Sequence, residues 1–310
     1  MPTDPASTTT SSFVAISGAT GLIGSALAAR LRARNVRVRR LVRTAQPQSP
    51  DDIVWDPMRG VLSPSDLEGA DAVVHLAGEP LAHRWTDARK RAIRESRVRG
   101  TELVARTIAV LDHRPRVLLS GSAIGIYGDR GDEPVDEESA LGSGFLAGVT
   151  REWEAASVAA ADAGVRVVLL RTGIVLSPNG GALERLLLPF RLGVGGPIGS
   201  GRQWMSWISL EDHVRAMEHA LETTGMHGPV NLVSPNPVTN AEFAATLGRV
   251  LSRPALVPAP AFALELVYGE MARATILAGQ RVLPKMLLRA GFHFAHPTLE
   301  QALRYELEPR

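Results

Sequence analysis

Two hydroxyl side chains, Ser122 and Tyr127, lie five residues apart just after an apolar run at 117–119. Such a run predicts a buried strand, so both side chains are expected to emerge together at its carboxyl end. A serine and a tyrosine placed in this way can polarise a carbonyl and transfer a proton, and we predict both as catalytic. A tyrosine that does acid–base work usually needs a partner that lowers its pKa. The alternative for Tyr127 is a structural tyrosine packed beside a cofactor.

The segment GATGLIG at 18–24 follows the first apolar run of the chain. Its GxxGxxG spacing, between a predicted strand and a predicted helix, is typical of a dinucleotide site. The glycines permit a tight turn, close approach of a pyrophosphate and close packing of the helix on the strand. The helix start then offers free amide hydrogens and a favourable dipole to the phosphates. The predicted cofactor contacts here are Gly18, Thr20, Gly21, Leu22, Ile23 and Gly24.

The choice between NAD and NADP depends on the end of the second predicted strand. NAD-selective sites place an acidic residue there, whereas the segment RRLVRT at 39–44 contains none and has Arg43 at that position. An arginine pairs well with a 2′-phosphate, so we predict NADP(H) as the cofactor. The alternative is a solvated strand edge, which strand alternation favours for Arg37 and Arg39. Further cofactor contacts are predicted at strand ends, namely Leu76, Ala77, Gly78, Ser120 and Arg171.

The elements that must position these residues alternate between strand and helix. Strands are predicted at 13–17, 36–42, 72–76, 116–119 and 165–170, and helices at 22–34, 84–110 and 150–163. This rhythm predicts an α/β fold, a Rossmann-like doubly wound parallel sheet covered by helices on both faces. Beyond residue 176 the chain is rich in glycine and proline, with helices predicted at 211–222, 240–251 and 262–278. We predict a disordered tail at 1–12, an NADP-binding domain at 13–176, and a smaller substrate or lid region with a C-terminal extension at 177–310.

Composition narrows the class of protein. The 310 residues are 45% hydrophobic and 21% charged, which predicts a globular chain with a sizeable core. The net charge of +2 gives no argument for nucleic-acid binding, and the absence of cysteine excludes disulfides and thiolate chemistry. The eight histidines show no metal-ligand spacing, and no uncharged run is long enough to span a bilayer. We expect a cytoplasmic protein that binds a small-molecule substrate and no metal, nucleic acid or membrane.

Together these motifs resemble a known family. The segments GATGLIG, HLAG, SGSAIGIYG and LLRTGIVL occur in the order found in extended, or atypical, short-chain dehydrogenase/reductases of the NAD-dependent epimerase/dehydratase type. The segments at 75–85, 96–101, 195–214 and 279–292 are similar to those of an uncharacterised epimerase-like subfamily with a C-terminal extension. The resemblance covers residues 13–306 and implies the fold and the cofactor. Subfamily labels include sugar-nucleotide epimerase and cell-division inhibitor, so the resemblance leaves the substrate open. A homodimer through long helices is common in the wider family, and the sequence leaves this oligomeric state open as well.

The chain departs from this family where proton transfer is concerned. The family uses a serine or threonine, a tyrosine, and a lysine four residues later that lowers the tyrosine pKa and grips the cofactor ribose. The three tyrosines, Tyr127, Tyr268 and Tyr305, are followed four residues later by glycine, alanine and proline, so no such pair exists. An asparagine of the family is replaced by Arg97, which, like Lys90, is a candidate electrostatic helper for Tyr127.

Four residues are predicted to contact the substrate: Glu79, Arg202, Trp204 and Trp207. Tryptophans beside a glycine-rich loop can form a wall that stacks on a flat or sugar ring. The alternative is that they anchor the small region on the core, and that Glu79 only caps a helix. We predict an NADP(H)-dependent oxidoreductase or epimerase that acts on a small carbonyl or hydroxyl substrate with a non-standard proton donor. The alternative is a catalytically weak NADPH-binding regulatory or interaction protein.

Overall fold

The computed structural model describes residues 12–43 and 49–308, so the predicted tail lies outside it apart from Ser12. The strands are β1 Phe13–Ser17, β2 Arg37–Val42, β3 Asp52–Val54, β4 Ala70–His75, β5 Val117–Ala123, β6 Pro134–Val135, β7 Arg166–Thr172, β8 Ile174–Leu176, β9 Trp204–Met205, β10 Trp207–Ser209, β11 Gly228–Leu232, β12 Val238–Thr239 and β13 Arg281–Val282. The helices are α1 Leu22–Ala33, α2 Pro64–Leu67, α3 Asp87–Ala109, α4 Phe145–Ala155, α5 Val158–Asp162, α6 Gly181–Arg191, α7 Leu210–Glu222, α8 Asn240–Leu251, α9 Ala261–Tyr268, α10 Lys285–Arg289 and α11 Leu299–Leu307.

Seven strands form one sheet in the order β11-β7-β5-β4-β1-β2-β3, and each neighbouring pair is parallel. Strand β1, between β4 and β2, has the sequence FVAIS and is buried throughout, as expected for a strand covered on both faces. Because all strands run the same way, their carboxyl ends meet at one edge, where α/β folds bind ligands. The predicted Rossmann-like parallel sheet is confirmed.

Helices cover both faces of this sheet. One hydrophobic core joins the sheet to α1 and α7, with Leu27 and Met217 fully buried. The other joins it to α3 and α5, with Ile108 and Ala160 fully buried. At roughly 25 cal/mol per Å² of apolar surface removed from water, this burial supplies the main driving force for the fold. The two cores hold the carboxyl edge of the sheet in a fixed geometry.

The second half of the chain differs in part from the prediction. Strand β11 pairs with β7 and extends the main sheet, although it lies in the segment predicted as the smaller region. The helix predicted at 150–163 is two helices, α4 and α5, and the one predicted at 262–278 is α9 followed by a π-helical turn, Ala272–Ile276. Helices α6, α8 and α11 enclose a third core around the fully buried Trp207. Within the described ranges, no helix is long and apolar enough to cross a membrane.

Candidate functional site

The glycine turn between β1 and α1 is shaped to receive a phosphate. Gly18 has φ +69°, a left-handed conformation that glycine adopts without strain, and a Cβ there would lie 3.0 Å from the backbone nitrogen of Ala77. A Cβ on Gly24 would lie 2.3 Å from the carbonyl oxygen of Gly18, so only glycine lets α1 pack this closely on the turn. No side chain caps the start of α1 and its first turn holds no acid, which leaves its amide hydrogens available to an anion.

The rest of this motif lies at the surface beside the end of β4. Thr20 and Gly21 are exposed, Leu22 and Ile23 are half-buried, and across the turn Leu76 and Ala77 are half-buried while Gly78 is exposed. The hydroxyl oxygen of Ser17 accepts from the backbone nitrogens of Leu76 and Ala77, which fixes β4 beside the turn. The structure thus brings the residues predicted for the cofactor's phosphates together with those predicted for its ribose.

Arg43 follows the last residue of β2 at the same edge of the sheet, and its side chain is exposed. Its neighbours in the basic run are engaged: Arg37 pairs with Asp51 at 2.9 Å, and Arg40 pairs with Asp52 at 2.7 Å. Arg43 forms no ion pair with any residue in 12–43 or 49–308. Of these three arginines, Arg43 is therefore the one available to a 2′-phosphate.

A row of polar residues crosses the carboxyl ends of three adjacent strands. In the sheet register Ser122 of β5 stands beside Arg171 of β7, and Arg171 stands beside Asn231 of β11. Helix α4 adds Glu154, whose Oε1 accepts the hydroxyl proton of Ser122 at 2.6 Å. Arg171 holds the same carboxylate through two bonds, from Nε to Oε1 at 2.8 Å and from Nη2 to Oε2 at 2.9 Å. This fork-to-fork pair fixes Glu154 against Ser122.

Tyr127 lies behind this row and has no exposed surface. Its hydroxyl accepts from Nη1 of Arg171 at 2.9 Å and donates to Oδ1 of Asn231 at 2.8 Å. Burial raises the pKa of Tyr127, although the nearby Arg171 opposes the rise. A buried phenol whose hydroxyl is already bonded to two side chains is not placed to touch a substrate. The site therefore differs from the sequence prediction for Tyr127.

Two predicted cofactor contacts, Ser120 and Arg171, also lie below the surface. Ser120 is 0% exposed. Arg171 is 4% exposed, like Ser122, and its Nε, Nη1 and Nη2 already donate to Glu154 and Tyr127, so its guanidinium is engaged within the protein. Burial opposes the charge on Arg171, but its hydrogen bonds to Glu154 and its contact with Tyr127 outweigh that effect and raise its pKa. Arg171 is thus a permanent cation that holds Glu154 and Tyr127 in place through hydrogen bonds.

The predicted substrate residues are dispersed. Trp207 is 0% exposed and donates from its indole nitrogen to the carbonyl of Asn236, so it anchors the third core and forms no part of an open wall. Trp204 is half-buried, with the guanidinium of Arg281 4.6 Å from its ring centre, and Arg202 is exposed. The Glu79 carboxylate is bonded to Arg89 of α3.

Comparison with known proteins then identifies the family. Residues 14–232 match the model of the NAD dependent epimerase/dehydratase family, which is well over half of the chain. The chain belongs to the NAD dependent epimerase/dehydratase family. Residues 259–306, which contain α9 to α11, match a domain of unknown function, DUF1731. The resemblance inferred from the sequence, including the C-terminal extension, is confirmed.

Relatives that match almost the whole of this chain support the assignment. Epimerase family protein Mb2239 of Mycobacterium bovis is 47% identical over 293 residues, which cover 94% of this chain and 96% of that protein. The crystal structure of human epimerase family protein SDR39U1 (isoform2) with NADPH has a TM-score of 0.86 at 36% identity, covering 94% of this chain and 98% of that one. A nucleoside-diphosphate sugar epimerase from Corynebacterium glutamicum has a TM-score of 0.78 at 38% identity, covering 95% of this chain and 58% of that one. The predicted class of cofactor, a nicotinamide dinucleotide, is confirmed by the family.

Two members of the polar row, Glu154 and Asn231, were not predicted as site residues. Glu154 lies in the segment where the family carries its tyrosine and lysine, so an acid on that helix was a signal that the sequence offered. Asn231 gave no comparable signal, because its place beside Arg171 depends on β11 pairing with β7.

Proposed function

We propose that this member of the NAD dependent epimerase/dehydratase family is a cytoplasmic, NADP(H)-dependent oxidoreductase or epimerase of a small carbonyl or hydroxyl substrate. The observation that carries the proposal is the 2.6 Å hydrogen bond from Ser122 to Glu154, a carboxylate held in place by Arg171. A hydroxyl bonded to a fixed carboxylate can relay a proton, which is what the missing tyrosine and lysine do elsewhere in the family.

The residues at the carboxyl edge suit the cofactor. In this proposal the turn at Gly18 and Gly21 and the free start of α1 bind the pyrophosphate, and Arg43 binds the 2′-phosphate. Ala77 and Gly78 offer a small backbone surface to the ribose. When bound, NADP(H) exchanges a hydride with a substrate carbon through nicotinamide C4. The human relative, solved with NADPH, supports this choice of cofactor.

Ser122 and Glu154 handle the proton in the proposed reaction. In the oxidative direction the substrate hydroxyl gives its proton to Ser122 Oγ while the Ser122 proton passes to Glu154 Oε1. The substrate is left as a carbonyl and Glu154 as a neutral acid, and reduction runs the same transfers backwards. Arg171 orients Glu154, and Tyr127 has a positioning role in place of the catalytic one predicted from sequence.

The substrate is proposed to enter between the sheet edge and the region from residue 177 onward. Trp204 and Arg202 remain the proposed substrate contacts there. Glu79 is a third proposed contact, and its carboxylate would have to leave its ion pair with Arg89 to bind the substrate. Trp207 is left out of this set because it is fully buried. The nucleoside-diphosphate sugar epimerase among the relatives supports a sugar-like substrate.

One observation favours the second candidate, a catalytically weak NADPH-binding regulatory protein. The only proton that Ser122 has to offer is already donated to Glu154, and the Tyr127 hydroxyl is fully buried. A protein of this kind would bind NADPH tightly but would not oxidise it in the presence of any carbonyl substrate.

Ser122→Ala separates the two candidates. NADPH oxidation is measured with a panel of aldehydes, ketones and keto sugars, and NADPH affinity by fluorescence titration. The proposal predicts turnover in the wild type, a loss of about 100-fold or more in Ser122→Ala, and an NADPH Kd changed less than about threefold. Equal turnover in the two proteins would contradict the role of Ser122. Tight NADPH binding without turnover on any carbonyl would favour the regulatory candidate.

A further inference from the structure

The missing lysine removes a positive charge as well as a group that assists proton transfer. In the wider family that residue is a cation on the helix after β5, close to the cofactor ribose. Here that helix, α4, buries Val149 and Trp153, four residues apart, on its inner face. A Cβ on Gly121 would lie 2.7 Å from Cζ2 of Trp153, so the indole packs directly against the end of β5. The indole of Trp153 therefore covers the end of β5 on the inner face of α4.

A cation reaches the same place from a different helix. The guanidinium of Arg97, on α3, lies 5.1 Å from the centre of the Trp153 ring. It also lies against the end of β4, since a Cβ on Gly78 would be 3.4 Å from Arg97 Cζ. Arg97 thus stands between the carboxyl ends of β4 and β5. The strand order puts Arg43 on the opposite side of the glycine turn, so Arg97 is on the side left for the nicotinamide half.

The hydrogen bonds of Arg97 leave part of its fork free. Nη1 donates to the carbonyl oxygens of Glu79 at 3.0 Å and Ile93 at 3.2 Å, which fixes the plane of the group. Nε and Nη2 donate to no acceptor in the described part of the chain, and Arg97 forms no ion pair there. The carboxylate of Glu79 is itself bonded to Arg89. The guanidinium therefore keeps unused donors at the sheet edge.

The charge of Arg97 is only partly balanced. Burial lowers its pKa to about 10, with Glu79 opposing the shift. A cation that has lost much of its water and has no carboxylate bonded to it gains when a ligand supplies oxygen acceptors. Its stacking on Trp153 is also a structural contact that ties α3 to α4, so a test must separate binding from packing.

We infer that Arg97 replaces the family's lysine as the cation that binds the nicotinamide-side ribose of NADP(H), held in place by Trp153. The inference rests on the proposed function for the presence of NADP(H). Its free N–H groups would donate to the ribose hydroxyls, and its flat face suits an indole in a way that an ammonium does not. Arg97 is then a cofactor-binding residue, whereas Trp153 is a positioning residue.

The test compares two ligands that share only one half of the cofactor site. NADPH spans both halves, whereas 2′,5′-ADP carries the 2′-phosphate and lacks the nicotinamide ribose. Calorimetry measures both Kd values for the wild type, Arg97→Met, Arg97→Lys and a control, Arg94→Met. Arg94 lies one turn earlier on α3, with its side chain half exposed and paired with Glu152 at 3.2 Å.

Arg97→Met is expected to weaken NADPH binding by about 10- to 100-fold and to leave 2′,5′-ADP binding within about twofold. Arg94→Met is expected to match the wild type for both ligands. If Arg97→Met does not fold, Arg97→Lys keeps the charge without the fork and is expected to weaken NADPH alone by about three- to tenfold. Equal weakening of both ligands, or of neither, overturns the inference. A wild type that binds neither ligand instead overturns the proposed function, and the inference with it.

Discussion

Ser122 donates its hydroxyl proton to Glu154 across 2.6 Å, although the two residues lie on different elements and 32 positions apart. The strand β5 supplies the hydroxyl and the helix α4 supplies the carboxylate. Arg171, which stands beside Ser122 in the sheet, aligns the carboxylate through two hydrogen bonds. In the proposed function this arrangement relays the proton without a tyrosine, which makes Glu154 the residue to change first.

Glu154→Gln is expected to lower turnover by about 100-fold or more, because an amide keeps the shape but cannot take up the Ser122 proton. NADPH affinity is expected to change less than about threefold. Single-turnover NADPH oxidation and fluorescence titration provide the two measurements. The matched control is Glu152→Gln on the same helix, whose half-exposed carboxylate pairs with Arg94. Turnover in Glu154→Gln equal to that of the control would contradict the proton relay.

Tyr127→Phe tests whether this tyrosine positions the site or acts in it. The variant removes the hydroxyl that Arg171 and Asn231 bind at 2.9 and 2.8 Å, in a fully buried environment. We expect the free energy of unfolding to fall by about 1–3 kcal/mol, because two buried polar groups lose a partner. Turnover is expected to fall less than about tenfold. Urea unfolding and the turnover assay are run beside Tyr268→Phe, whose hydroxyl bonds to no residue in the described ranges. Unchanged stability with a loss of turnover above 100-fold would restore the catalytic role.

The glycine turn and Arg43 could be predicted from the sequence because their geometry is local. The turn's shape depends on three glycines within seven residues, and Arg43 directly follows the next strand along the chain. Both needed only the strand–turn–helix order, and the structure places them at one edge of the sheet.

The polar row could not be predicted in the same way because its members meet through long-range pairing. Asn231 comes beside Arg171 only because β11 joins the sheet next to β7, and the sequence pattern assigned that strand to a separate region. Trp207 was predicted to contact the substrate but is buried in the third core. The sequence shows that it is an aromatic residue near a loop, but not which face of the β8–β10 pair packs against the core. The locations of Asn231 and Trp207 both depend on tertiary packing.

Arg43→Ala is expected to raise the Kd for NADPH by about tenfold or more and to leave the Kd for NADH unchanged. The physical reason is the loss of a charge-assisted contact to the 2′-phosphate, a group that NADH lacks. Arg37→Ala is the matched control, because Arg37 begins the strand that Arg43 directly follows and is paired with Asp51. Fluorescence titration at low and physiological salt measures both ligands. An unchanged ratio of the two Kd values would contradict the assignment of Arg43.

Gly121→Ala tests the packing of Trp153 against the end of β5. A Cβ there would lie 2.7 Å from Cζ2 of Trp153 and 3.1 Å from the backbone oxygen of His75. We expect a loss of about 1–3 kcal/mol in the free energy of unfolding, because the indole must move within a close-packed site. Gly148→Ala on α4 is the control, since a Cβ there meets nothing within 4 Å. It should gain up to about 1 kcal/mol from helix propensity, and urea denaturation measures both variants. Equal effects in the two variants would contradict the close contact.

His75 is expected to make the protein sensitive to acid. The ring is fully buried, and burial lowers its pKa to about 4. Nδ1 lies 2.7 Å from the Ser17 hydroxyl oxygen, which already accepts two backbone N–H groups, so the hydroxyl proton points to Nδ1 and the neutral ring carries its own proton on Nε2. Protonation of Nδ1 would remove that hydrogen bond as well as bury a charge.

The sign of the effect follows from which state binds protons. Between pH 6.5 and 4 the unfolded chain protonates this histidine and the folded protein does not, so stability falls as the pH falls through that window. His75 lowers the free energy of unfolding by about 3 kcal/mol near pH 4 and has no effect on it above pH 7. His75→Asn keeps an acceptor near Ser17 but cannot ionise, so its free energy of unfolding should decline less steeply, even if the cavity lowers it at every pH. Urea unfolding at pH 7.5, 6 and 5 measures the slope for His75→Asn, the wild type and His113→Asn, a change at an exposed loop histidine. A slope in His75→Asn as steep as in the wild type would show that the buried ring is not the source of the acid sensitivity.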